Sequence, residues 1–320
     1  MDILLTGSVA YDYLMTFPGL FKEHLLAEHL EKISLSFLVD SLVRRRGGVA
    51  PNIAYTLAQL GGRPRVMATV GEDFDDYRAW LEDHGVDTSA MKVIQGKYTA
   101  SYFATTDQSN AQVASFYPGA MENAGELSLH DLDGRQPDLV LISPNDPAAM
   151  EQYVEECRQL GLDYVYDPSQ QIVRYDGAIL KRGLEGARAL FVNEYEFELI
   201  KDKTGMQQAE IMEHLDFMVV TLGERGAAIF FDGQEERVEA VPADHIADPT
   251  GGGDAFRGGF LTGYRLGLDW QTNARLGTLA ATYCLEHQGP QGHTFTRQEF
   301  VQRYRQYYDD GGALDALLTD

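Results

Sequence analysis

The sequence predicts an α/β fold: a mostly parallel central sheet with helices on both faces, plus a small β-sheet lid. Three observations predict it. From about residue 138, short apolar runs alternate with helical patterns: "DLVLIS" then "PAAMEQYVEECRQLG", "DYVYD" then a helix near 176–182, "ARALFVN" then "EYEFELIKD". Such alternation makes parallel strands joined by covering helices. Segments 13–46 and 97–118 break the rhythm with strand-like stretches. They read as a second, smaller sheet over the carboxyl-end crevice where open α/β sheets bind ligands. Finally, 320 residues, 44% hydrophobic and 23% charged, suffice for one large α/β domain or a large domain with a small one attached. The large domain is expected to comprise 1–12, 47–96 and 119–320.

The elements follow in order. "DILLTGS" is a buried strand ending in a glycine turn, and residues 13–46 are irregular, with "ISLSFLVDSLV" compatible with extended structure. "NIAYTLAQLGG" has helical periodicity and stops at Gly61 and Gly62, as helix ends do. "RVMATVG" is a strand, "EDFDDYRAWLEDHG" a helix, and 97–118 two strands joined by a polar turn. "DFMVVTLG" leads to the hairpin-like "AAIFFDGQEERVEAV", and the chain ends in helices over 253–266, 271–286 and 296–308.

Composition excludes several function classes. A net charge of −23 repels nucleic-acid phosphates. Cys157 and Cys284 lie far apart without CxxC spacing, which suits a reducing compartment and gives no zinc pattern. "MDILLTGSVAYD" has no basic n-region and no stretch reaches the length of a membrane span. A cytoplasmic location without membrane or nucleic-acid partners is expected.

The chemistry concentrates in "DPTGGGDAFRGGFLTGY", residues 248–264. A helix N-terminus leaves its first N–H groups without intrahelical partners and carries partial positive charge. Gly251, Gly252 and Gly253 present no side chains to an approaching anion, so they make a cradle. A carboxylate does not bind phosphate, so Asp254 at the cradle's edge suits proton removal from a hydroxyl that attacks a phosphorus held there. An ordinary glycine connector with Asp254 as a helix cap is the competing reading. The dinucleotide fingerprint fails at Phe256, and no Walker motif occurs.

"DPTGGGD" resembles the D-[TS]-x-G-x-G-D signature of the ribokinase-like, or PfkB, kinases. "GSVAYD", "GGVAPN", "NEYE" and "TLGERGA" match further elements of that family in its order. Within the family, "SLSFLVD", "RRGGVAPN", "ASFYPGAM" and "DPSQQ" look most similar to bacterial adenosine kinases of the mycobacterial type. The resemblance implies a ribokinase-like fold. It places Ser8, Asp12, Gly48 and Asn52 at the sugar hydroxyls, and an aspartate and an amide are suited to vicinal hydroxyls. It sets Thr221, Gly223, Glu224 and Gly226, with Asn193, Gly251 and Gly253, around ATP. Asn193 and Glu196 would position Mg2+ through its water shell, and Asp248 and Thr250 match part of a site for a monovalent cation such as K+. Pro249 and Gly252 depart from the commoner family residues without disabling the cradle.

The implied reaction is transfer of the γ-phosphate of ATP to the 5′-hydroxyl of adenosine, within purine salvage. Asp254 would take the proton and the amides of 251–254 the developing charge. The same resemblance assigns Ser36, Phe37, Tyr102, Phe116, Gln170 and Gln171 to the base, with a tyrosine at 102 where phenylalanine is usual. It also implies a homodimer through the lid, with 36–37 reaching toward the partner's site. A sugar kinase of the same fold and a non-catalytic nucleoside sensor are the alternatives. The arginines at 44–46 are expected to be solvated lid or loop charges.

Overall fold

The computed structural model describes residues 1–24, 34–132 and 134–319. Its main sheet contains β1 (Ile3–Thr6), β4 (Arg65–Met67), β9 (Leu139–Ile142), β10 (Tyr164–Tyr166), β11 (Ala189–Asn193), β12 (Phe217–Thr221), β13 (Ala227–Phe231) and β14 (Gln234–Val238). The order is β14-β13-β12-β11-β10-β9-β1-β4. The six strands from β4 to β12 are parallel, and the hairpin β13–β14 closes one edge antiparallel. This is the predicted architecture.

Alternation along the strands divides the core. Ile3, Leu5, Leu139 and Leu141 face α1 (Val49–Gln59) and α7 (Gly252–Leu266), whereas Leu4, Val140 and Ile142 face α3 (Pro147–Leu160) and α4 (Gly177–Leu184). Both strand faces are covered, so these strands are apolar throughout rather than alternating with polar residues. Local signals set the helix ends. Asp146 caps α3 by accepting from the amides of Ala148 and Ala149, Pro147 opens it, and Gly161 ends it at φ 65°. α8 (Trp270–Leu285) packs along α7, and α9 (Arg297–Tyr307) completes that side.

The second sheet has the order β3-β2-β7-β8, from β2 (Ala10–Thr16), β3 (Ser41–Gly47), β7 (Ala100–Thr106) and β8 (Gln112–Tyr117). β2 pairs antiparallel with β3 and parallel with β7, and β7–β8 is a hairpin. The stretch 33–43 was expected to be extended, but residues 34–39 take no regular structure and the strand begins at Ser41, running through the three arginines. Residues 25–33 of the predicted lid segment lie outside the described residues. "RVMATVG" is not one strand: β4 ends at Met67, and β5 (Thr69–Val70) pairs with β6 (Lys92–Val93) in a separate ribbon. The helices α2 (Asp75–Asp83), α5 (Glu194–Thr204) and α6 (Gln208–Met212) fill the remaining connections, α6 being too short for its periodicity to show. No helix among the described residues is long and apolar enough to cross a membrane.

Candidate active site

Helix α7 starts at the glycine run. Gly251 is its N-cap at φ 85°, a left-handed conformation that favours glycine. The first intrahelical bond runs from Ala255 N to Gly251 O at 2.9 Å, so the amides of Gly252, Gly253 and Asp254 precede the helical ladder and point out of its positive end. The glycine run thus opens the helix as predicted from the letters, with its first amides free of intrahelical partners.

Asp254 stands in that first turn, partly exposed. Its Oδ2 accepts from Asn52 Nδ2 at 2.8 Å, and Asn52 Oδ1 accepts from Gln291 Nε2 at 2.9 Å. Asn52 lies in the first turns of α1, capped by Gly48 at φ 97°. A Cβ on Gly48 would collide with the Ser8 carbonyl, and Ser8 Oγ accepts from Val49 N at 3.2 Å. The two predicted substrate glycine turns are thus packed onto each other. Burial pushes the Asp254 carboxyl up to about 6 despite Arg257 and the Asn52 hydrogen bond, which suits a group that must accept a proton near neutral pH.

Sequence reasoning missed the support beneath the cradle. Arg257 is 7% exposed; its Nη1 donates to Gly253 O at 3.0 Å and its Nη2 to Asp167 Oδ1 at 2.6 Å. Asp167 is fully buried, and its other oxygen accepts from Ser143 Oγ at 3.0 Å. Burial pushes the Asp167 carboxyl up, with Arg257 and Ser143 opposing through the hydrogen bonds that both aim at its oxygens. A signal existed: Arg257 follows Asp254 by three residues, the spacing of neighbours on one helix face. Asp167 follows β10 at the carboxyl-end crevice. Nothing local marks Gln291.

The lid contributes one transverse row. In the strand register Arg45 stands opposite Asp12, Asp12 opposite Tyr102, and Tyr102 opposite Phe116, and residues directly opposite share a face. The Asp12 carboxylate lies against Gly47, whose added Cβ would sit 2.8 Å from Oδ2. Burial pushes Asp12 up to about 6, with Arg45 pulling down and Asp248 pushing up. Phe116 is 50% exposed, and Tyr102 donates its hydroxyl to Gln112 Oε1 at 2.9 Å. Phe37 is not in this row: its ring packs with Phe17 and Phe21 at centroid distances of 4.8 and 5.0 Å, and the neighbouring Ser36 is exposed. Gln171 is buried and donates to Asn145 O at 2.7 Å, while Gln170 is exposed.

Thr221, Gly223, Glu224 and Gly226 line, with Gly252 and Gly253, one cavity of about 540 Å³. Val241, Ala281 and Leu285 give it an apolar wall. Asn193 and Glu196 form a reciprocal helix cap: Asn193 Oδ1 accepts from Glu196 N and Glu196 Oε2 from Asn193 N, both at 2.8 Å. Glu196 Oε1 accepts from Ser169 Oγ at 2.9 Å, and its charge pushes up both Asp254 and Asp167. Among the described residues no group of three His, Cys, Asp or Glu is placed to hold a metal. The donor set therefore fits Mg2+ only through its water shell and nucleotide phosphates, not by direct ligation.

The arginine run corrects an expectation at Arg45, while Arg44 remains exposed. Arg44 lies over the Tyr11 ring at 3.8 Å and Arg46 over Trp80 at 4.5 Å. Arg45 reaches into the large sheet's loops and pairs with Asp248. Strand register, invisible in a run of identical letters, turns the arginines to alternate faces with separate partners. Hydrogen bonds from Thr250, Arg45 and Gly289 N hold the Asp248 carboxyl below its ordinary value, although burial opposes them.

The pfkB family carbohydrate kinase model matches residues 6–296. A nucleoside kinase from Burkholderia thailandensis, solved in complex with inosine, is 37% identical over 96% of this chain and 99% of its own, with a TM-score of 0.86. The same protein is also known as an ADP-inosine complex. A nucleoside kinase from Methanothermobacter thermautotrophicus is 28% identical over 95% of both chains. An adenosine kinase from Sinorhizobium meliloti shares the fold at a TM-score of 0.73 and 21% identity, over 96% of this chain and 99% of its own. With a family model covering most of its length and a motif order to match, the chain belongs to the pfkB family of carbohydrate kinases.

Proposed function

We propose that the protein is an ATP-dependent nucleoside kinase that phosphorylates the 5′-hydroxyl of a purine nucleoside, with adenosine as its acceptor, giving AMP and ADP. The observation that carries this reading is the lid row: next to Asp12, suited to ribose hydroxyls, stand Tyr102 and Phe116. A simple sugar has no flat face to stack there, whereas a base does. The Burkholderia relative's complexes with inosine and with ADP-inosine support the same class of acceptor and a nucleotide donor.

In this reading Asp12 and Asn52 hold the ribose hydroxyls, and Asp254 accepts the 5′-hydroxyl proton. The amides of Gly252, Gly253 and Asp254 take the charge on the migrating phosphoryl group. The nucleotide base occupies the cavity bounded by Thr221, Gly226 and Leu285. Glu196 and Asn193 would hold Mg2+ through water, and that ion would neutralise nucleotide phosphate charge. Gln170 and Gln171 would serve the acceptor's base, as the family resemblance assigns. Leu42, Phe103 and Val113 are exposed on one face of the lid, and the reading pairs two lids into a homodimer across such apolar surface. Cytoplasmic purine salvage is the corresponding role.

ADP release in the presence of adenosine, inosine, guanosine, ribose or fructose tests the reading. Turnover with nucleosides, adenosine foremost, is expected. Turnover with sugars alone overturns it, and tight adenosine binding without ADP release makes the protein a sensor.

A further inference from the structure

The loop that leads into the cradle is held by an arginine from the other sheet. Arg45, on β3, donates from Nη1 to Asp248 Oδ2 and from Nη2 to Gln288 Oε1, the latter at 2.6 Å. It thus lies between the loop before α7 and the loop after α8. Gly289 passes so close that a Cβ there would meet Arg45 Cδ at 3.0 Å. Gly289 N donates to the same Asp248 Oδ2 at 3.1 Å, and Thr250 N to Oδ1 at 2.9 Å. Gln288 Nε2 closes the link by donating to Ala247 O at 2.9 Å. The side chains of Arg45 and Asp248 are 22% and 13% exposed, so bulk water does little to screen the pair.

This arrangement does not fit the monovalent cation that the family resemblance implies at Asp248 and Thr250. Both oxygens of the Asp248 carboxylate are engaged by three donors, one of them a guanidinium. The Thr250 carbonyl faces the Cys284 thiol at 3.5 Å. A second cation would have to displace Arg45 or sit beside its fixed positive charge, and neither is favourable at short range in a poorly screened place.

We infer that Arg45 is a built-in replacement for the monovalent cation: its guanidinium supplies the positive charge that fixes the loop before the cradle. Two consequences follow. Catalysis does not depend on K+. The charge is carried by a lid strand, directly opposite Asp12 in the register, so the position of the lid and the setting of the cradle are coupled. Arg45 acts here through Asp248 and is a positioning residue. The inference rests on the proposed kinase reading only for its turnover arm.

The test compares the wild-type protein with Arg45→Ala in KCl and in tetramethylammonium chloride at equal ionic strength, reading thermal unfolding and ADP release with adenosine. Wild-type melting and turnover are expected to be the same in both salts. The alanine variant is expected to lose about 10²-fold in turnover in tetramethylammonium, the scale of a small misplacement of a catalytic group. K+ or methylguanidinium restores at least part of that loss and raises the variant's melting temperature. Arg45→Lys, which keeps a charge on the strand, should retain cation independence even if Arg45→Ala folds poorly. Wild-type protein that is stabilised or activated several-fold by K+ overturns the inference. So does an alanine variant that is fully active without K+, or one whose loss neither K+ nor methylguanidinium relieves. If the wild type phosphorylates no nucleoside at all, the kinase reading fails, while the melting comparison still judges the cation replacement.

Discussion

Replacing Asp254 with asparagine separates two effects of one carboxylate. Burial raises its pKa from the ordinary 3.8 to about 6, against the pull of Arg257 and Asn52. At about 1.36 kcal/mol for each tenfold change in proton affinity, keeping it ionised at pH 8 costs the fold up to about 3 kcal/mol. Asp254 keeps part of its solvent exposure, which screens the charge and leaves about 1–2 kcal/mol. Because the folded value lies above the unfolded one, the associated stability is fully present below 3.8 and is lost as pH rises through about 6. Asparagine carries no charge and still offers an oxygen to Asn52 Nδ2. Scanning calorimetry at pH 8 should therefore show the variant melting about 1.5–3 °C above the wild type, with the difference closing below pH 3.8. ADP release by the same variant should fall about 10²–10⁴-fold with nucleoside binding nearly intact. A variant that melts lower than the wild type at pH 8 refutes the burial argument. One that keeps its turnover refutes the assignment of Asp254 as the base.

Three further outcomes are expected. Asp167→Ala strands the buried Arg257 guanidinium and should destabilise the fold by about 3–5 kcal/mol in a urea titration; an unchanged midpoint would show that the pair does not hold the helix end. Phe116→Ala removes one stacking face and should lower kcat/KM for adenosine by about 10–100-fold, chiefly through KM, and an unaltered KM would remove Phe116 from the base site. Asp12 and Asp254 both sit at about 6 and both must be ionised to act, so log kcat/KM should fall below that pH with a slope approaching two. Asp12→Asn should reduce the slope to one and weaken nucleoside binding, and a wild-type slope of one would mean that only one of the two titrates in the free protein.

Much of this was legible because it is local. The glycine run that opens α7, the glycine turns beside Ser8 and Val49, the Asn193–Glu196 pair and the turn at Thr221–Gly226 are each a few residues long. Their chemistry is carried by residue type and spacing, and strand–helix alternation alone orders them along one sheet edge. What was not legible is what joins them. Arg257 meets Asp167 across 90 residues, Gln291 meets Asn52 across 239, and Arg45 meets Asp248 across 203. No spacing rule reaches that far. The arginines at 44–46 look alike as letters, and only pairing with β2 gives them different faces and partners. Phe37 shows the converse: letters that match a base-binding position sit, within this chain, in an aromatic cluster with Phe17 and Phe21.

The charges of the crevice then sort themselves by partner. Asp248 is bound by Arg45 and Asp167 by Arg257. Each is spent on holding a loop or a helix end, and neither is free to answer a substrate. Asp12 and Asp254 have no guanidinium within ion-pair distance among the described residues, and they are the two whose carboxyls are pushed up to about 6. A carboxylate left hungry for hydrogen bonds in a poorly solvated place gains most from an incoming hydroxyl. On the proposed reading one of them meets the hydroxyls that orient the acceptor and the other the hydroxyl that reacts. The arginines matter to both by absorbing the remaining negative charge. Without them, five carboxylates near one crevice, with Glu196 the fifth, would on that reading repel the incoming nucleotide phosphates.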